Sequence, residues 1–251
     1  MKYGIYYAYW EQEWAADYKK YVEKVSKLGF DILEVGAAPL PDYTDQEISE
    51  LRKCAQDNGV ILTAGYGPTY EHNIGAVEPE VRAGAMEWYK RLFEMMGKLD
   101  IHKIGGAIYS YWPVDFSKAD KEEDWKRSAE GIRILAEEAK QYDIMLGMEV
   151  LNRFESHILN TAAEGVTFVK EVGMDNVKVM LDTFHMNIEE VRWVQPSVRR
   201  EIFSDISIQE NAIVWFPEKA ECPGERSERR FVTFTMTEQL SWNRLYAWEG
   251  R

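Results

Sequence analysis

Six short apolar runs, each followed by an amphipathic helical stripe, constrain this chain more than any other feature. The runs are GIYYAYW at 4–10, FDILEVG at 30–36, GVILTAGYG at 59–67, IHKIGGAIY at 101–109, DIMLGMEV at 143–150 and NVKVMLDTFH at 176–185. Their length suits strands. Between them apolar side chains recur every three or four residues: Tyr18, Val22, Val25 and Leu28; Ile48, Leu51 and Cys54; Val81, Ala85, Trp88, Leu92 and Met96. Ala129, Ile132, Leu135 and Ala139 continue the pattern, followed by Val166 and Val169. Such stripes predict helices packing one face on a sheet. Thr44 with Glu47 and Thr161 with Glu164 have capping-box spacing, and Gly29, Gly59 and Gly173 stand where left-handed helix ends are expected.

Repeated βα units of this length fold either as a doubly wound parallel sheet or as a closed barrel. No glycine-rich phosphate loop points to the former. Polar groups instead stand at the C-terminal ends of several strands: Glu34, Glu149, Asp182 and His185, with Tyr6 and Trp112 nearby. A barrel gathers such strand ends around one mouth, whereas an open sheet gathers only those beside its switch point. The expected fold is therefore an α/β (β/α)8 barrel of the TIM type.

The pattern stops at residue 190. Up to Glu190 the chain holds 15 Gly, 15 Lys and 6 Arg and carries all of the net charge of -13. The last 61 residues hold 2 Gly, 1 Lys and 8 Arg, are formally neutral, and include Trp193, Trp215, Trp242 and Trp248 without clean periodicity. That is a poor composition for a second small domain. Residues 1–190 are read as the first six βα units of one barrel domain, and 191–251 as an aberrant tail in place of the last two.

The acidic balance argues against nucleic acid or an anionic membrane as a partner. No basic stretch precedes an apolar signal segment, and no later window is long enough to span a bilayer, so a cytoplasmic chain is expected. Cys54 and Cys222 are too few for a disulfide framework or a thiolate metal site; Cys54 is expected in a helix core.

Glu149 and Asp182 end neighbouring strands, so both carboxylates can share a hard divalent cation. Solvation, capping and salt bridging are the ordinary alternatives for such residues.

The stretches GIYYAYWEQEWAADY, FDILEVGAAPLPDY, LTAGYG, IGGAIYSYWPVDF, MEVLNRFESHILNTAAEGV and VKVMLDTFHMNIEE resemble the D-psicose (D-allulose) 3-epimerase and D-tagatose 3-epimerase family of xylose isomerase-like barrels. The resemblance covers residues 1–190. It implies a metal-dependent isomerase that epimerises ketohexoses at C3, D-fructose to D-psicose, through an enediolate. It implies Mn²⁺ or Co²⁺ as cofactor, with Mg²⁺ also compatible, a small ketose as substrate, and a homo-oligomer. Glu149 and Asp182 correspond to two of four metal ligands, and Glu149 also to one of two acid/base residues. Glu155 and His185 correspond to contacts with substrate hydroxyls, while Tyr6 and Trp112, with Trp14 and Tyr66, suit an apolar wall for the sugar. Core packing is the competing role for those aromatics. Arg153 is expected to pair with a neighbouring carboxylate, and His72-Asn73 to lie in a lid or surface loop.

In the family a seventh strand ends in an HFHTGE-type segment and an eighth carries a VVMEP-type segment. Neither is present in this tail. Reading triplets from the third base of each codon, however, IFSDISIQENAIVW at 202–215 permits LLGHFHTGECNRM, FPEKAECPGE permits PGKGRMPW, and TEQLSWNRLY permits DGTVVMEPFV. The tail is accordingly read as a shifted-frame translation of an epimerase gene. The missing His and Glu ligands correspond to triplets across the Ser207/Ile208 and Trp242/Asn243 junctions, and nothing in the pattern places Asn211 or His157 as substitutes. An inactive, incomplete barrel and another sugar isomerase of the same fold group are the alternative readings. Sequencing of the coding region is expected to show a one-base change of register near codon 190 relative to homologous genes; an unbroken register would contradict the reading.

Overall fold

The computed structural model describes residues 2–11 and 16–190 together with the backbone of 212–214 and 232–234. Within these, β1 (Gly4–Tyr6), β2 (Ile32–Gly36), β3 (Ile61–Tyr66), β4 (Lys103–Gly106), β5 (Met145–Val150) and β6 (Val177–Asp182) each fall inside one of the six apolar runs. They alternate with α1 (Tyr18–Leu28), α2 (Asp45–Asp57), α3 (Pro79–Leu99), α4 (Lys121–Lys140) and α5 (Ala162–Val172), and α6 (Thr183–Glu189) follows β6 directly. Both capping boxes form, with the Thr44 and Thr161 hydroxyls accepting from the backbone N–H of Glu47 and Glu164. Gly29, Gly59 and Gly173 take the left-handed φ of 81°, 65° and 71° that ends the helices.

The strands lie in one sheet in chain order, and β1 to β6 are all parallel. A seventh strand, β7 (Ala212–Val214), adds in parallel to β6, with Leu181 opposite Ala212 and Asp182 opposite Ile213. The eighth, β8 (Val232–Phe234), runs antiparallel to β7, with Ala212 opposite Phe234. Among the described residues no ladder joins β8 to β1, and the sheet curls without closing fully. This is an incomplete (β/α)8 barrel: its eighth strand reverses the direction that a βα repeat requires. Asp205, Glu210 and Pro217, which bear on strand formation in the tail, lie outside the described residues, as does Cys222.

The helices cover the sheet with one continuous apolar core. Tyr18, Val22 and Val25 of α1, Leu92, Phe93 and Met96 of α3, and Ile132, Leu135 and Ala139 of α4 are all buried in it. Leu28, expected on the α1 stripe, is instead 57% exposed, because α1 ends there. Cys54 is half-buried, its thiol directed at the Lys19 carbonyl. In α5 the inner face is Ala162, Gly165, Phe168 and Val172, not Val166 and Val169, which are half-buried. The reason is distance: a Cβ on Gly165 would stand 2.8 Å from Val150, so only glycine lets α5 approach the sheet this closely.

A row of three glycines crosses the sheet, Gly65 of β3 opposite Gly105 of β4 opposite Gly147 of β5. Their missing side chains leave space for larger neighbours: a Cβ on Gly65 would lie 2.9 Å from the Glu34 carboxylate, and one on Gly105 would lie 2.6 Å from the Met180 sulfur. At the end of β4, Gly106 has φ 124°, and a Cβ there would fall 2.0 Å from the Tyr66 carbonyl oxygen. Gly106→Ala is therefore expected to prevent stable folding; a cooperative thermal transition within a few degrees of the parent chain would contradict this packing.

Candidate metal and substrate site at the barrel mouth

Alternation along parallel strands places the acidic residues. Glu149 is two positions beyond Gly147 in β5 and Asp182 two beyond Met180 in β6, so both project on the face that carries the glycine row. Register sets Tyr6 of β1 beside Glu34 of β2. Tyr109, fully buried, donates its hydroxyl to the Glu149 carbonyl at 2.9 Å and pins that strand end. Asp182 closes β6 and caps α6, its carboxylate accepting the Phe184 N–H at 2.7 Å. One turn later α6 presents His185.

Ligand atoms of Glu149, Asp182 and His185 all lie within 4.8 Å of one another. The imidazole Nε2 is 3.8 Å from Glu149 Oε1 and 3.7 Å from Asp182 Oδ2. The electrostatics show what such a cluster favours. Burial, then the neighbouring charges of Asp182, Glu34 and Glu155, pushes the Glu149 carboxyl well above its ordinary range. Burial raises Asp182 to about 6, opposed by the Phe184 N–H and reinforced by Glu155. Burial alone raises Glu34 to about 7. Carboxylates held together away from water resist ionisation unless a cation compensates them. Hard oxygen donors at this spacing fit a divalent cation, and the cluster can hold one.

The remaining expected residues fall unevenly around this centre. Glu155 and His185 meet through Asn152, which sequence reasoning passed over although it lies within the NRFESH stretch. The Asn152 amide donates to Glu155 Oε1 at 2.7 Å and approaches His185 Nδ1 at 2.8 Å. Tyr6 is half-buried on the Glu34 face, its hydroxyl raised by burial first and by Tyr7 and Glu34 next. Trp112 is 41% exposed in the loop after β4, its backbone N–H donating to the Pro68 carbonyl at 2.7 Å. Tyr66 is buried against Trp88, with ring centroids 4.7 Å apart, so packing accounts for it. Trp14 and Asn211 lie outside the described residues.

Arg153 pairs as expected, gripping both oxygens of Glu189 through Nε and Nη2 and its own backbone N–H. This contact ties the loop after β5 to α6, and Glu189 is a second residue the sequence did not single out. His157 bonds Asp124 at 2.7 Å, away from the cluster. His72-Asn73 is not a surface loop: His72 stacks on Trp88 with centroids 4.1 Å apart, and Asn73 is buried, accepting the Gly75 N–H.

Comparison with known proteins settles the lineage of this architecture. Residues 22–213 match the family described as xylose isomerase-like TIM barrel. The chain is 58% identical over 191 residues to D-psicose 3-epimerase of Ruminiclostridium cellulolyticum and 56% identical over 191 residues to that of Agrobacterium fabrum. A solved D-psicose 3-epimerase with D-tagatose from Clostridium cellulolyticum H10 superposes with a TM-score of 0.81 at 50% identity, covering 89% of this chain and 78% of that one. This chain belongs to the D-psicose/D-tagatose 3-epimerase family. The matches to the two curated epimerases take in 76% of this chain but only 65% and 66% of theirs, so the chain spans just under two thirds of their length. Among the described residues no helix is long and apolar enough to cross a membrane.

The raised carboxyl of Glu34 makes a pH test available. Its native value of about 7 stands above the ordinary 4.5, so the metal-free native state holds an extra proton between those values. Stability from this group is present in full below the ordinary value and is lost as pH rises through about 7. Glu34→Gln removes the titration, so the variant should gain on the parent by roughly 3 kcal/mol across that window. Urea denaturation at a series of pH values measures the difference, and parallel curves would contradict the assignment.

Proposed function

We propose that this chain carries the greater part of a metal-dependent ketose 3-epimerase, an isomerase of carbohydrate metabolism that converts D-fructose to D-psicose. The observation that carries the reading is the convergence of Glu149, Asp182 and His185 at the mouth of a barrel built like the D-psicose 3-epimerases. Another sugar isomerase of the same fold group is less well supported, since identity falls to 31% for the L-ribulose 3-epimerase of Mesorhizobium japonicum.

Glu149 and Asp182 would hold the cation through oxygen, which suits Mn²⁺, Co²⁺ or Mg²⁺. When bound, the ion supplies Lewis-acid polarisation of the C2 carbonyl and offsets the charge that develops as the C3 proton leaves. Glu149, at the strand end, takes or returns that proton on one face of the sugar. Glu155 and His185 orient the hydroxyls beside the reacting carbons. Tyr6 and Trp112 offer aromatic faces to the apolar side of the ring.

Inversion at C3 needs a second acid/base on the opposite face. The family's eighth-strand Glu has no counterpart in this chain as written, nor has the His that completes the ligands. One-sided proton exchange does not invert a carbon, and this favours a second reading: the 251-residue chain is a catalytically impaired member of its family. The altered segment 191–251 is then the cause, and restoring the reading frame restores ligands, acid/base and βα units together. We propose a homo-oligomer and a small ketose ligand on the same family basis.

Conversion of D-fructose to D-psicose with added Mn²⁺ or Co²⁺ tests both readings, measured on this chain and on its frame-restored form. The restored form should be active and the present chain should not. Glu149→Gln in the restored form should lower epimerisation by about 10²–10⁴-fold, with loss of C3 proton exchange into labelled solvent. Undiminished exchange and epimerisation in that variant would remove Glu149 from the mechanism.

A further inference from the structure

His185 has two nitrogens, and which one bears the proton decides whether it offers the site a lone pair or a donor. The hydrogen bonds around its inner nitrogen answer this. The backbone N–H of Asn152, which can only donate, points at His185 Nδ1 from 3.2 Å. The Asn152 side-chain Nδ2 approaches the same atom at 2.8 Å. The amide cannot be turned over. Its Oδ1 accepts the Phe154 N–H at 2.9 Å while its Nδ2 donates to Glu155 Oε1 at 2.7 Å. Exchanging O and N would set oxygen against a carboxylate and an NH₂ group against an N–H.

Two donors therefore converge on one buried nitrogen. That nitrogen must present its lone pair, and the neutral ring then carries its proton on Nε2. The alternative tautomer would face an N–H against two donors in a buried place and leave all three without an acceptor. Nε2 is the atom that faces Glu149 and Asp182, at 3.8 and 3.7 Å. Those distances exceed a hydrogen bond, so the Nε2 proton is given to neither carboxylate.

We propose that Asn152 is a positioning residue that holds His185 as its Nε2–H tautomer, so that His185 presents a hydrogen-bond donor rather than a metal-ligating lone pair beside Glu149 and Asp182. The ligand it takes is an oxygen acceptor, the carbonyl or hydroxyl of a polyhydroxylated molecule, which rests on the ketose reading above. The cation then relies on the carboxylates. Because the same amide also holds Glu155, Asn152 fixes both groups assigned to the sugar hydroxyls relative to each other.

The test is long-range proton–nitrogen correlation NMR on the metal-free 251-residue chain labelled with ¹⁵N-histidine, at mildly alkaline pH. The chain has four histidines, and His185→Gln assigns the signal of interest. The pattern expected for His185 is a protonated Nε2 and an unprotonated Nδ1. Asn152→Asp keeps the side chain's shape but replaces the nearer of the two donors by an acceptor, leaving only the backbone N–H at 3.2 Å, so it should shift the population towards a proton on Nδ1. A protonated Nδ1 in the unsubstituted chain would overturn the proposal, and so would a tautomer pattern unchanged in the folded Asn152→Asp variant. Addition of D-fructose separates the two layers. If His185 Nε2 of the frame-restored form with Mg²⁺ also fails to respond to the sugar while the tautomer pattern holds, the ketose reading fails and the positioning role of Asn152 stands.

Discussion

Acidic side chains held out of water against one another are the constraint on which this structure turns. Glu34, in the middle of β2 rather than at its expected end, and Glu149 and Asp182, near the ends of β5 and β6, share one face of the sheet, and burial raises the carboxyls of all three. Nothing in folding alone rewards that arrangement. The glycine row across β3, β4 and β5 makes it sterically possible, since a side chain at Gly65 would collide with the Glu34 carboxylate. The loop after β5 and helix α6 then lock together through Arg153–Glu189 and Asn152–His185, which fixes the remaining polar groups around the mouth. A divalent cation gives such a cluster a physical purpose.

Much of this was legible in the residues. The six strands sit within the six apolar runs because a parallel strand covered by helices must be apolar along its length. The capping boxes at Thr44 and Thr161 formed because they need only local geometry. The misreadings have a common cause. The inner face of α5 is marked by Ala162 and Gly165, small residues that a search for large apolar side chains overlooks. His72 reads as part of a lid or surface loop because its partners, Tyr66 and Trp88, are set beside it only by the fold. Asn152 and Glu189 escaped notice for the same reason, since their roles exist only once β5 and α6 are neighbours.

The resemblance to the epimerases implies two further βα units that bring a third and fourth ligand to the mouth. Here β7 takes its place beside β6 in the expected direction, but β8 returns antiparallel. Running antiparallel, β8 starts with Val232 at the rim that Glu149 and Asp182 occupy and ends with Phe234 away from it, opposite to the course of β1 to β7. The proposed shift of reading frame near codon 190 would account for both the composition break there and an altered completion of the site.

Calorimetric titration of Mn²⁺ into the 251-residue chain and into its frame-restored form measures the central claim most directly. Glu149 and Asp182 alone should give the present chain weak binding that Asp182→Asn abolishes, whereas the restored chain should bind tightly at one ion per chain. Tight stoichiometric binding by the present chain, lost on replacing Glu149 or Asp182, would show that the mouth is already complete and would contradict the account.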